Sequence, residues 1–295
     1  MTVSDPTPPV PEAGAGAADG PGRGAGRSER RLRTPAVILV LGGIGALFLG
    51  LPLLGLLVEA PWSDLGSVLG SEIVLEALRV SLVTSMCAAA LSIAFGVPLA
   101  WLLARVEFRG RALLRGVVTL PIVLPPVVGG VALLATLGRR GWLGGILEQQ
   151  LGVVLPFSMA GTVLAQTFVA MPFLVVTVEA ALQGVDRRAE DAAEVLGAGP
   201  WRTFADVTLP AAGPAIVAGT ALAWARALGE FGATITFAGS LQGRTQTLPL
   251  AVYLALETDP GVAIVMSLVL VAVSLTVLVA LRSRWLPEVV RRPGR

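Results

Sequence analysis

The chain has 295 residues, of which 54% are hydrophobic and only 14% are charged, a composition typical of an integral membrane protein rather than a soluble domain. All 22 basic residues are arginines, and without Lys or His the chain can form neither a Walker A ATP site nor a histidine-based catalytic or metal site. We therefore predict no ATP site and no histidine-based metal site in this chain. We also expect that it is not an enzyme, holds no metal and binds no nucleic acid.

The amino-terminal region is predicted to be a disordered tail followed by a membrane helix. Residues 1–34 are rich in Gly, Ala, Pro and Ser, carry several arginines near their end, and bury too little apolar surface to offset their ordering entropy. The apolar run at 35–58 is too long for the core of a signal peptide, and no A-x-A-like cleavage site closes it. It predicts a first membrane helix.

Six apolar runs are long enough to cross a bilayer, whose roughly 30 Å of hydrocarbon takes about 20 helical residues. They predict an all-α membrane protein with six transmembrane helices. The runs are residues 35–58, 77–104, 112–137, 160–182, 212–237 and 262–281.

The third run contains three prolines, Pro121, Pro125 and Pro126, shortly after Thr119. Prolines remove backbone donors and prevent a straight helix, so the freed carbonyl groups must find other partners or line a cavity. Two interpretations stay open at this point. The prolines either produce a kink that serves helix packing or break the helix where it lines a permeation path.

Two loops are predicted on the outer side of the membrane. Apolar residues in the loop 138–157 are spaced as a stripe, which predicts a short helix at the membrane surface. The segment 239–253 is predicted to re-enter the apolar phase in part.

A charged stretch at 186–210 lies between two long apolar runs. Asp186 is placed to cap a short helix, and Gly197 is placed to end it in a left-handed conformation. Pro200 suits the first position of a second short helix because no backbone donor is needed there. The stretch is either an ordinary solvated loop or a docking element, since the small alanine side chains of its first helix suit a groove on another protein.

The fifth run carries two ionisable residues, Arg226 and Glu230, at membrane depth. They are four residues apart and so share one face of a helix. Ionisable residues are costly in this environment and usually face a partner or a wet cavity, so structural pairing and a role in a pathway both remain open. Small residues beside them, among them Gly229 and Gly232, would let another backbone approach closely.

The arginines predict the orientation of the chain in the membrane. Most of them lie in the amino-terminal tail, at 105–115, in the stretch 186–210 and at the carboxyl end, whereas the opposite side has only Arg139, Arg140 and Arg244. Basic residues accumulate on the cytoplasmic side. We therefore expect a multi-pass plasma-membrane protein with both termini, the basic tail 283–295 and the loop 186–210 in the cytoplasm.

The spacing within 186–210 resembles the EAA loop of ABC-importer permease subunits. In that loop a Glu-Ala-Ala triplet, a glycine and a late Ile-x-Leu-Pro recur, and here Asp191 replaces Glu and Val207 replaces Ile. In the family this loop is the coupling helix that sits in a cleft of the ATPase subunit. The resemblance implies an ATPase-coupling role for Asp191, Ala192, Ala193, Gly197, Leu209 and Pro210.

Several motifs in order, LPIVLPPVVGG, LGRRGWLG, ALGEFGATITFAG and GRTQTLPLAVY, look like the molybdate permease subunits of ABC importers. The resemblance covers about residues 75–282 and implies a type I importer permease fold with the coupling loop 186–210, to which 35–58 adds a first helix. It also implies a homodimer in the lipid bilayer, two ABC ATPase subunits that bind ATP and Mg²⁺, and an extracytoplasmic molybdate-binding protein. The chain itself would hold no cofactor.

Several weak hydrogen-bond donors allow a doubly charged oxyanion to move on, whereas a strongly charged site would hold it. The candidates for the pathway or its gate are Thr119, Pro125, Pro126, Arg226, Glu230, Thr234 and Thr236, with Thr220 as a further hydroxyl.

Three alternatives remain beside a molybdate importer. Importers of sulfate, thiosulfate or tungstate share similar segments, and tungstate closely matches molybdate in size and charge. A channel or secondary transporter would use Arg226 and Glu230 but leave the coupling loop unexplained. A membrane-embedded enzyme would need paired catalytic groups that the apolar runs do not provide.

Overall fold

The computed structural model describes residues 36–285, and all of its regular secondary structure over that range is helical. The predicted all-α class is thereby confirmed. The predicted tail 1–34 lies outside the described residues, as do residues 286–295 of the predicted tail 283–295.

The helices are numbered in chain order. They are α1 Ala36–Val58, α2 Leu65–Leu69, α3 Glu72–Arg105, α4 Arg111–Val123, α5 Pro126–Leu137, α6 Gly144–Leu151, α7 Met159–Gly184, α8 Arg188–Val195, α9 Pro200–Thr203, a π-helical turn Phe204–Thr208, α10 Leu209–Leu228, α11 Gly232–Ala238, α12 Leu248–Thr258 and α13 Pro260–Trp285.

The chain divides into two compact units at Gly50. Helix α1 begins in the first unit, runs through Pro52 and is apolar along its 23 residues. It is one of five helical stretches in the described range that are long and apolar enough to cross a membrane. The other four are Glu72–Arg105, Met159–Gly184, Pro200–Leu228 and Pro260–Val277.

The centre of the second unit is formed by α3, α7 and α10, whose buried apolar residues make one cluster. Small residues allow these helices to approach closely. A Cβ atom at Gly96 of α3 would lie 2.9 Å from a methyl group of Leu174 in α7, and one at Gly219 of α10 would lie 3.3 Å from the Leu174 Cα. Leu174 is therefore enclosed from both sides by glycines.

Two smaller clusters attach the remaining helices to this centre. Helices α12 and α13 pack on the first turns of α3 through residues such as Leu248 and Met266, and the buried Leu248 backbone N–H donates to Ser81 Oγ at 2.6 Å. Helix α11 packs on α7 through Phe237 and Val169, with leucines of α5 beside them. Ser81 thus satisfies a backbone donor at the start of α12 that would otherwise be unpaired.

The third predicted run is divided into two helices, α4 and α5, so the expectation of six continuous spans is not met in full. Helix α4 continues through Pro121 and ends at Val123. A residue that precedes a proline is pushed towards an extended backbone conformation. Leu124 precedes Pro125 and has a ψ of 136°, and Pro125 precedes Pro126 and has a ψ of 132°. The break follows directly from the Pro125–Pro126 pair.

The fifth predicted run is also divided, which the sequence did not indicate. Helix α10 ends at Leu228 and α11 begins at Gly232, and Glu230 lies in the connection between them. Glu230 is therefore not on the same helix as Arg226, although the two still meet. The predicted short helices at the membrane surface and in the charged loop are present as α6, α8 and α9.

Candidate coupling loop and membrane break

The charged loop is a compact pair of short helices. The Asp186 carboxylate accepts a hydrogen bond from the Arg188 backbone N–H at 3.0 Å, which satisfies a donor at the start of α8. Two acidic residues, Glu190 and Asp191, stand in the first turn, where they complement the helix dipole. Gly197 ends the helix with a φ of +87°, a left-handed conformation that favours glycine.

The residues that resemble the EAA motif lie mostly on the surface of this loop. Asp191 and Ala192 are exposed, and Ala193 is half-buried. Leu209 and Pro210 begin α10 and are also exposed. The structure therefore brings a small, open helix face next to the point where the chain starts its return through the membrane.

Large apolar side chains extend from the same loop. Val195, Leu196 and Trp201 are 88%, 87% and 78% exposed. Exposed apolar groups that cluster beside charged residues mark a protein or membrane interaction surface. The loop therefore presents an interaction surface beside its charged residues.

The second region of interest is the break between α10 and α11. Arg226 Nη1 lies 2.6 Å from Glu230 Oε2, and the two side chains are 27% and 1% exposed. The other carboxylate oxygen, Glu230 Oε1, accepts the backbone N–H of Ala233 at 2.8 Å. Glu230 therefore caps α11 and pairs with Arg226 at the same time, which offsets the cost of a backbone break at membrane depth.

The two helix breaks meet. A Cβ atom at Gly232 would lie 2.8 Å from Pro126 Cβ and 3.2 Å from the Val127 backbone nitrogen. One helical turn further along, a Cβ at Gly130 of α5 would lie 2.6 Å from Thr236 Cβ. Glycines on both helices thus let the start of α11 pack directly against the start of α5.

The chain matches the family described as "Binding-protein-dependent transport system inner membrane component" over residues 96–287. The chain belongs to this family. It is 45% identical to the molybdenum transport system permease protein ModB of Escherichia coli K12 over 75% of this chain and 96% of that protein. It is 38% identical to the sulfate transport system permease protein CysW of Synechococcus elongatus over 77% and 81% of the two chains.

The fold is also that of a solved permease. The crystal structure of a bacterial alginate ABC transporter superposes with a TM-score of 0.70 at 18% identity, covering 85% of this permease and 94% of that chain. The helical arrangement is therefore that of an ABC-importer permease.

The permease holds a buried polar cluster that the sequence did not reveal. Glu190 Oε1 lies 3.1 Å from Arg105 Nη2 at the end of α3 and accepts the Thr208 hydroxyl at 2.8 Å. Thr208 belongs to the π-helical turn before α10. We call Arg105, Glu190 and Thr208 the Glu190 cluster. No local signal could have found it, because Arg105 and Glu190 are 85 residues apart.

Two arginines of α4 hold the last turn of α3 beside this cluster. Arg111 Nε donates to the Leu103 carbonyl at 2.8 Å, and Arg115 Nη2 reaches the same oxygen at 3.4 Å. Arg115 is also paired with Glu179 of α7. Cations at the carboxyl end of a helix complement its dipole and its unpaired carbonyl groups.

The predicted hydroxyl groups do not converge on one site. Thr119 and Thr236 donate to backbone carbonyls of their own helices, at 2.9 Å and 2.8 Å. Thr220 lies in an apolar groove of about 670 Å³ between α3, α10 and α13, away from the other threonines. Thr234 is fully buried, and its hydroxyl has no hydrogen-bond partner within residues 36–285.

Proposed function

We propose that this permease is the membrane subunit of an ATP-driven molybdate importer, with residues 75–282 as its core. The observation that carries the proposal is the surface of α8, where Asp191 and Ala192 lie open beside exposed Val195, Leu196 and Trp201. That surface would enter a cleft in an ABC ATPase, and the ATPase would bind ATP and Mg²⁺. Gly197, Leu209 and Pro210 would set the direction in which α8 and α10 leave this contact.

Substrate and partners follow from the same assignment. Molybdate is favoured over sulfate because the molybdenum relative is more similar to this chain than the sulfate relative and is covered almost completely. A binding protein would deliver the anion from outside, and two copies of the chain would enclose the pathway. The arginine distribution supports cytoplasmic termini and a cytoplasmic coupling loop.

The break between α10 and α11 is the proposed position of the pathway or its gate. Arg226 is partly exposed and can attract an anion, while its pairing with Glu230 weakens that attraction enough for release. Pro125 and Pro126 bring the second break to the same place. Among the hydroxyls, Thr234 is the strongest candidate donor, because Thr119 and Thr236 already donate within their own helices.

The test is uptake of labelled molybdate by vesicles that contain the chain with its ATPase and binding protein, with tungstate and sulfate as competitors. We expect uptake that requires ATP and is competed by tungstate but not by sulfate. Equal competition by sulfate would move the substrate to the sulfate branch and leave ATP coupling intact. Uptake without ATP would contradict the importer and favour a secondary transporter.

A further inference from the structure

The Glu190 cluster connects three elements that the charged loop has to move together. Arg105 is on α3, Glu190 is on α8, and Thr208 is in the π-helical turn that leads into α10. The side chains of Arg105 and Glu190 are only 7% and 14% exposed. An ion pair shielded from water to this degree is screened less than a surface pair, and removing one partner leaves the other charge without compensation.

Aromatic contacts link the same elements around the cluster. Trp101 of α3 meets Phe204 of the π-helical turn edge to face, with ring centroids 5.6 Å apart. Trp201 of α9 lies 5.8 Å from Phe204 on another side. Since Arg111 also holds the Leu103 carbonyl at the end of α3, a displacement of α8 would be passed to α3, and from there to α4.

The surroundings of the pair leave room for a second arrangement. A cavity of about 320 Å³ lies next to it, lined in part by Arg105, Glu190 and Thr203. Arg105 Nε and the Thr203 hydroxyl are buried and have no partner in the part of the chain that is described. A carboxylate that now contacts Arg105 Nη2 therefore has unused donors close by. π-helical turns, such as the one that carries Thr208, are frequent at functional sites.

We propose that Glu190 is a positioning residue that transmits movement of the docked loop to α3 and α10, whereas the neighbouring Asp191 belongs to the docking surface itself. This inference rests on the proposed function, because the movement starts from a bound ATPase. It separates two roles on one short helix: contact with the ATPase on the exposed face, and mechanical connection to the membrane helices through the buried carboxylate.

The test compares Glu190→Gln with Glu257→Gln in vesicles holding the permease, its ATPase and its binding protein. Glu257 is on α12, outside the charged loop, is exposed and takes part in no ion pair among residues 36–285, so it is the control for loss of one carboxylate. For Glu190→Gln we expect uptake to fall about tenfold while ATPase binding changes less than about twofold, since only the buried pair is lost. The number of ATP molecules hydrolysed per anion should therefore rise.

A second variant keeps the test decisive if the single change disturbs folding. Arg105→Gln with Glu190→Gln removes both charges and leaves two amides able to hydrogen-bond. The double variant should transport at least about threefold better than expected from the two single variants, because residues in direct contact are not additive. Additive losses, or an unchanged ATP-to-anion ratio in Glu190→Gln, would overturn the proposed transmission.

The outcomes also separate this inference from the proposed function. If the unmodified complex imports with ATP and Glu190→Gln behaves like the control, only the transmission role fails. If the unmodified chain neither binds the ATPase nor imports with ATP, the importer assignment fails and the transmission role fails with it.

Discussion

The charged loop and the break between α10 and α11 both carry acidic residues, but these residues differ in their exposure to water. In the loop, Asp191 and the apolar Leu196 are exposed, and α8 has small side chains on its open face. At the break, Glu230 is buried, and both of its carboxylate oxygens are already engaged by Arg226 and the Ala233 backbone. The acidic residue of the loop is accessible from outside, whereas the acidic residue at the break is buried and already has partners within the chain.

The difference shows where each region is sensitive to change. An exposed docking surface loses function when its shape is altered, even if the fold remains intact. A buried pair at a helix break is sensitive to loss of charge, because the remaining ion cannot be solvated by water. The following variants test this contrast, in order of decreasing expected effect.

Bulk on the open face of α8 should have the largest effect. Ala192→Trp is expected to weaken ATPase association and to lower uptake, each by up to about a hundredfold, because overpacking costs roughly 1–3 kcal/mol. Co-purification of the ATPase and ATP-dependent uptake measure the two quantities. Ala192→Ser, which keeps the side chain small, should behave like the unmodified chain; full uptake by the Trp variant would remove the coupling role of this face.

Loss of charge at the break should affect transport more than docking. Glu230→Gln still accepts the Ala233 N–H but leaves Arg226 without its counter-ion, so uptake should fall about tenfold while ATPase binding is retained. Glu257→Gln, a change at an exposed acid of α12, is the control. Unchanged transport in the Glu230 variant would reduce the pair to helix packing.

The contact between the two breaks should give the smallest effect. Gly232→Ala places a methyl group 2.8 Å from Pro126 Cβ, and the required shift should lower uptake about threefold through a packing cost of the order of 1 kcal/mol. Gly229→Ala is the matched control, since its methyl group would meet only the Ala225 carbonyl at 3.6 Å. Thermal unfolding of both variants in detergent, beside uptake, would show whether the two glycines differ; equal behaviour would argue against close packing of the breaks.

Local rules explain which features were predictable. The break at Leu124–Pro125 follows from consecutive prolines, and the end of α8 follows from a glycine in a left-handed conformation. The apolar runs and the short helices depend on sequence periodicity and caps. The break between α10 and α11 has no proline, and Gly229 at the end of α10 is an isolated glycine of the kind that is tolerated inside a helix, so one continuous helix was the natural prediction.

The site residues divide in the same way. The open surface of α8 was predictable because its features, a charged first turn, small residues and a glycine, are consecutive in the chain. The Glu190 cluster was not, since Glu190 differs from the neighbouring acids Asp191 and Glu194 only in what it contacts. Its partners Arg105 and Thr208 come from other segments. Thr220 is the opposite case. The sequence made its hydroxyl a candidate for the pathway, but in the structure it lies in an apolar groove.

The sequence by itself determined that this chain is an all-helical membrane protein with a charged loop of two short helices, because hydropathy, proline breaks and helix caps act between near neighbours. Only the tertiary structure decided that Gly232 meets Pro126 and that Glu190, not Asp191, is largely shielded from water beside Arg105. Such contacts join segments far apart in the chain, and they depend on how closely α3, α7 and α10 approach. Because the Glu190 side chain is largely shielded from water there, its charge depends on Arg105 for compensation.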